Sequence, residues 1–70
     1  MVVDLIVNGE ARAFENVRTL GDLLAEIDAS REGSGIAVAV NGTVVPRTAW
    51  IECALRPGDR VEVIHAVQGG

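Results

Sequence analysis

Apolar residues along this chain fall into short blocks whose period changes and then changes back. Residues 2–7, V-V-D-L-I-V, are branched and apolar around one charge, and they stop at Asn8-Gly9. That dipeptide readily takes the positive φ angles of a two-residue hairpin turn, so a strand over 2–7 and an antiparallel return over 11–15, A-R-A-F-E, are predicted. The period then lengthens. In T-L-G-D-L-L-A-E-I-D, Leu20, Leu23, Leu24 and Ile27 recur at offsets 0, 3, 4 and 7, the stripe of an amphipathic helix. Thr19 is the expected N-cap, with Asp22 three residues on to return a hydrogen bond. Gly21 costs this helix up to about 1 kcal/mol relative to alanine, which packing of the stripe on a sheet offsets.

Residues 29–35, A-S-R-E-G-S-G, carry no period and read as a loop. Strand-like patterning resumes with I-A-V-A-V over 36–40, and a second Asn-Gly at 41 and 42 followed by T-V-V-P predicts a second hairpin. It ends where Pro46 removes a ladder donor. A single helical turn is expected over 48–50 around Trp50, then a Pro57-Gly58 turn, then a final strand over 60–67, R-V-E-V-I-H-A-V. The order is ββαββ-turn-β. Sheet and helix each have one apolar face to bury, so they cover each other. The fold class is α+β, a mixed five-stranded sheet packed on one main α-helix, the arrangement called a β-grasp. Val3, Leu5, Val7, Val38, Val40, Val61 and Val63 are the expected inward residues. One domain over 1–67 and a flexible tail over 68–70 are expected, with no internal repeat or linker.

Size narrows the function. A chain of 70 residues buries only roughly 60% of the surface it exposes when unfolded. Small-molecule pockets of about 300–1,000 Å³ are a large demand on such a core. A binding or carrier role is favoured over catalysis. No apolar run approaches the roughly 18 residues of a membrane span, and no leader pattern opens the chain, so no membrane association is expected. The single Cys53 cannot form an internal disulfide, and a reducing cytoplasm is the default. Ten acids against six bases give a net charge of −4, which argues against nucleic acid as a partner. All six bases are arginines, at 12, 18, 31, 47, 56 and 60, and there is no lysine.

Few residues offer chemistry of their own. His65 is the one histidine and has no serine or second base tied to it by sequence, so a structural or solvated role is the simpler reading. Cys53 lies among apolar neighbours in I-E-C-A-L and reads as a small hydrophobe. One cysteine and one histidine leave the usual set of about four zinc ligands unfilled, so no metal site is expected. Trp50 either closes a corner of the core or meets a partner. The G-S-G at 33–35 precedes a strand and lacks the Lys-Ser/Thr ending of a phosphate loop. No catalytic residue is assigned.

The sequence closes on H-A-V-Q-G-G. Glycine is the least ordering residue, so Gly69 and Gly70 are either a frayed or adventitious end or a tail with a purpose. If the last strand ends near Val67, then Gln68, Gly69 and Gly70 extend the terminal carboxylate about 10 Å beyond the folded body. A thin tail of that kind can enter the active site of another protein. Its α-carboxyl, with a reference pKa of about 3.3 to 3.7, is ionised at neutral pH and inert as an acyl donor until activated.

The pattern V-N-G-E, T-L-G-D-L-L, A-V-A-V-N-G-T-V-V-P-R-T-A-W, L-R-P-G-D-R-V-E-V-I and a closing G-G resembles the ThiS family, the small sulfur carriers of thiamine biosynthesis, over nearly the whole chain. The resemblance implies a ubiquitin-like β-grasp protein, not an enzyme. It implies that Gly70 is adenylated by a ThiF-type adenylyltransferase using Mg-ATP and then converted to a thiocarboxylate. It further implies a cysteine desulfurase-linked sulfur donor, and delivery of the sulfur to thiazole synthase for the thiazole of thiamine. No cofactor is bound permanently, and a monomer cycling between partners is the simplest state. The outward face of the last strand, Ile64 and Ala66, is the expected partner surface, with packing under a loop as the alternative for Ile64. The small subunit of molybdopterin synthase, or another thiocarboxylate carrier, uses the same chemistry and is the nearest rival reading; P-R-T-A-W and the short length favour the thiamine branch. A non-conjugating β-grasp interaction module is the rival of a different class, and it needs no free Gly-Gly.

Overall fold

The computed structural model describes residues 2–27 and 35–65. Strand β1 (Val2–Val7) turns back into β2 (Glu10–Glu15), helix α1 spans Leu20–Glu26, and β3 (Ile36–Val40) turns into the short β4 (Thr43–Val44). A 3₁₀ helix over Arg47–Glu52 then leads to β5 (Arg60–His65). The five strands form one sheet in the order β2-β1-β5-β3-β4. Pairing is antiparallel except between β1 and β5, which run parallel. The last strand thus enters between the two hairpins, and the sheet is mixed, as expected.

Both hairpins follow from their Asn-Gly turns. Asn8 and Asn41 sit at φ of 50° and 52°, and the glycine after each at 84°, the twist that continues the right-handed coil of the flanking strands. Register locks with Val7 opposite Glu10 and Val40 opposite Thr43. Period-two alternation then sends Val3, Leu5, Val7, Val38, Val61 and Val63 inward to meet Leu20, Leu23 and Leu24 of α1 in one core. Val40, expected inward, is only half-buried, because it lies at the end of β3 beside the turn and the core thins there. Phe14, Val17, Trp50 and Leu55 complete the core; the sequence pattern did not single out Phe14, Val17 or Leu55.

Helix α1 is short, and its start is held from two sides. The Thr19 hydroxyl accepts from the Asp22 N–H at 3.2 Å, and the Asp22 carboxylate accepts from the N–H groups of Arg18 and Thr19 at 3.0 and 3.1 Å. These backbone bonds hold the Asp22 carboxyl below its ordinary value. Segment 53–55 runs alongside: Leu20 N–H donates to the Cys53 carbonyl at 2.8 Å and Leu55 N–H to the Arg18 carbonyl at 2.9 Å. The helical turn expected over 48–50 is longer than predicted, six residues of 3₁₀ helix. Trp50 closes the corner, its indole N–H donating to the Val45 carbonyl at 2.9 Å. The second strand, expected over 11–15, begins one residue earlier, at Glu10; the final strand, expected over 60–67, is described from Arg60 to His65, and 66 and 67 lie outside the described residues.

Candidate functional site

The strand that leads toward the Gly-Gly end is held by a neighbouring strand on each side. It begins at the turn Arg56-Pro57-Gly58-Asp59, where Gly58 takes φ of 89° and the Asp59 N–H donates to the Arg56 carbonyl at 3.1 Å. The Asp59 carboxylate accepts from the Arg56 N–H at 2.8 Å and from the Asn41 side-chain amide at 3.0 Å. Neighbouring strands attach on both sides: the Gly58 N–H donates to the Asp4 carbonyl at 2.7 Å, Ile6 N–H to Asp59 at 2.9 Å, and Asn41 Oδ1 accepts from the Arg60 N–H at 2.9 Å. Further along, Asn8 Oδ1 accepts from the Val63 N–H at 2.8 Å.

On β5, Val61 and Val63 face the core while Arg60, Glu62 and Ile64 face away from it. Ile64 is 59% exposed and stands opposite Ala37 of β3, so it is a surface residue rather than one packed under a loop. Val44, 69% exposed, lies on the same outer face two strands away. Ala66, Gln68, Gly69 and Gly70 lie outside the described residues. An open hollow of about 720 Å³, lined among others by Ile6, Asn41, Arg60 and Glu62, sits on this face between the two hairpin turns. His65 is exposed at the end of β5 opposite Ile36, and Cys53 is a half-buried free thiol against the core. Among the described residues no group of His, Cys, Asp or Glu side chains is placed to hold a metal ion. No helix among them is long and apolar enough to cross a membrane.

The family model of ThiS matches residues 5–70. The chain belongs to the ThiS family. It is 26% identical to the sulfur carrier protein ThiS of Escherichia coli over 68 residues, covering 97% of this chain and 100% of that one. The solved structure of a thiamine biosynthesis protein, ThiS, from Geobacter metallireducens superposes with a TM-score of 0.80 at 26% identity, covering 97% and 100% of the two chains. A thiazole synthase of Paramagnetospirillum magneticum is 32% identical over 66 residues, which are 94% of this chain but 20% of that protein. This chain therefore spans about a fifth of the length of that relative.

Seen as a ThiS-family β-grasp, the site has contributors that the pattern reading missed. Asn8 and Asn41 signalled hairpin turns, yet each also sends its side chain onto β5. Asp59, read only as part of a turn, ties that turn to the second hairpin. The doublet N-G at two places and G-D before the last strand were the available signals; which backbone group each side chain reaches depends on strand order.

Proposed function

We propose that this chain is a sulfur carrier of thiamine biosynthesis that works through the α-carboxyl of Gly70. Support comes chiefly from the joint likeness to a ThiS along its full length and to one fifth of a thiazole synthase. The second alignment joins a segment like this chain covalently to the enzyme that consumes the sulfur, which is what a carrier serving that enzyme would resemble.

The chemistry follows from the carboxylate. Its oxygen attacks the α-phosphorus of Mg-ATP, pyrophosphate leaves, and the acyl adenylate now has AMP as leaving group. The terminal sulfur of a persulfide, loaded from cysteine by a desulfurase, attacks the carbonyl and expels AMP. A thiol reduces the resulting acyl disulfide, leaving a thiocarboxylate on Gly70. Thiazole synthase takes the sulfur from there. Mg-ATP belongs to the ThiF-type adenylyltransferase, and the carrier contributes a docking face around Ile64 and a tail, Gln68-Gly69-Gly70, narrow enough for the partner's channel. The setting is the reducing cytoplasm. No lysine anywhere in the chain means that no ε-amine of a sibling can capture the activated acyl group.

Intact-protein mass spectrometry after incubation with Mg-ATP, a ThiF-type enzyme, cysteine and a desulfurase tests the reading. The expected result is exchange of one oxygen for sulfur on the terminal peptide, absent when Gly70 is deleted. Neither adenylate nor sulfur gain with a demonstrably active enzyme set would overturn it.

A further inference from the structure

β1 accompanies β5 for only two residue pairs, Ile6 opposite Arg60 and Val7 opposite Val61, and then leaves through its hairpin turn. The backbone of Asn8 still takes part, its N–H donating to the Val61 carbonyl at 2.9 Å. The next donor along that edge, the Val63 N–H, faces ground that β1 has vacated. It is met by a side chain: Asn8 Oδ1 lies 2.8 Å away. A backbone N–H partly shielded from water needs such an acceptor.

Turn chemistry alone does not call for this bond. A φ near 50° is open to Asn, Asp or Gly. The second hairpin makes the comparison: Asn41, at φ of 52°, spends its side chain on Arg60 and Asp59 at the start of the same strand. The two turns therefore hold β5 at two points, Asn41 at Arg60 where the strand begins and Asn8 at Val63 where β1 has run out.

We propose that Asn8 is a positioning residue: its side-chain carbonyl adds one rung to the parallel β1–β5 ladder, and so holds the Val63–Ile64 end of β5 in register for presentation to the activating enzyme. The presentation half rests on the carrier reading above. Asn8→Gly keeps the turn and removes the acceptor, Asn8→Asp keeps both, and Asn41→Gly removes the bonds at the other end. Amide exchange of the full chain by NMR and the kinetics of adenylation by a ThiF-type enzyme are measured together.

Asn8→Gly should speed exchange at Val63 about tenfold relative to Val61, the scale of one lost hydrogen bond. It should raise KM for the carrier severalfold with little change in kcat, and Asn8→Asp should restore both. Unchanged exchange at Val63 in Asn8→Gly would overturn the added rung. If Asn8→Gly and Asn41→Gly raise KM alike, in step with their losses in Tm, Asn8 only stabilises and the presentation role falls. A wild-type chain that is never adenylated removes the carrier reading and the presentation half with it, while exchange at Val63 still decides the rung.

Discussion

Thr19 and Asp22 exchange hydrogen bonds across the first turn of α1, so two of the four N–H groups that a helix start leaves over are met locally. Thr19→Ala should cost about 0.5–2 kcal/mol, read by urea unfolding. Asp22 adds a pH dependence of definite sign. Folding lowers its pKa, chiefly through the N–H groups of Arg18 and Thr19, so its contribution is full above the ordinary value of 3.8 and fades as the pH falls below it. Asp22→Asn should flatten the acid limb of stability against pH, and an unchanged limb would assign the loss to other carboxylates. Gly21 is a different case. An added Cβ would lie 3.5 Å from Ile51 Cα, ordinary contact distance, and the backbone there is helical. Gly21→Ala should therefore raise stability by roughly 0.5–1 kcal/mol, visible as a higher Tm. These caps and turns were legible in the sequence, since their partners lie within four residues. The side-chain reach of Asn8 to Val63 was not, since 55 positions separate them.

Among elements, the two hairpins and α1 stand where periodicity placed them, because each rests on local chemistry: an Asn-Gly turn, a cap, a 3.6-residue stripe. The 3₁₀ helix over Arg47–Glu52 was the poorly read element. Its length depends on what Trp50 finds. Trp50 is 7% exposed, its indole N–H meets the Val45 carbonyl, and the Arg47 guanidinium carbon lies 5.6 Å from the ring centroid. Trp50→Ala should cost about 3–5 kcal/mol, enough to leave a domain of this size largely unfolded at room temperature by circular dichroism. Trp50→Phe keeps most of the apolar contact but leaves the Val45 carbonyl without its donor, so it should fall between wild type and alanine.

For the molecule as a whole, the decisive event is insertion of β5 between hairpins that are distant in sequence. One parallel seam with β1 and one antiparallel seam with β3 turn two hairpins into a single sheet with an inner face on α1 and an outer face to solvent. Ile64 on that outer face is a test of what the face is for. Ile64→Ser removes exposed apolar surface and should leave stability within about 0.5 kcal/mol, yet raise KM for adenylation if the activating enzyme docks there; an unchanged KM would remove Ile64 from the docking face. The sequence by itself determined the fold class, both turns, the helix and its cap, most of the core, and the family, because patterning and turn chemistry act over a few residues. Only the tertiary structure decided the strand order, the extent of the Trp50 corner, the exposure of Ile64, and the joining of Asn8, Asn41 and Asp59 around one strand. Those depend on which distant backbone groups the packed core brings within hydrogen-bond reach, and no local pattern encodes that distance.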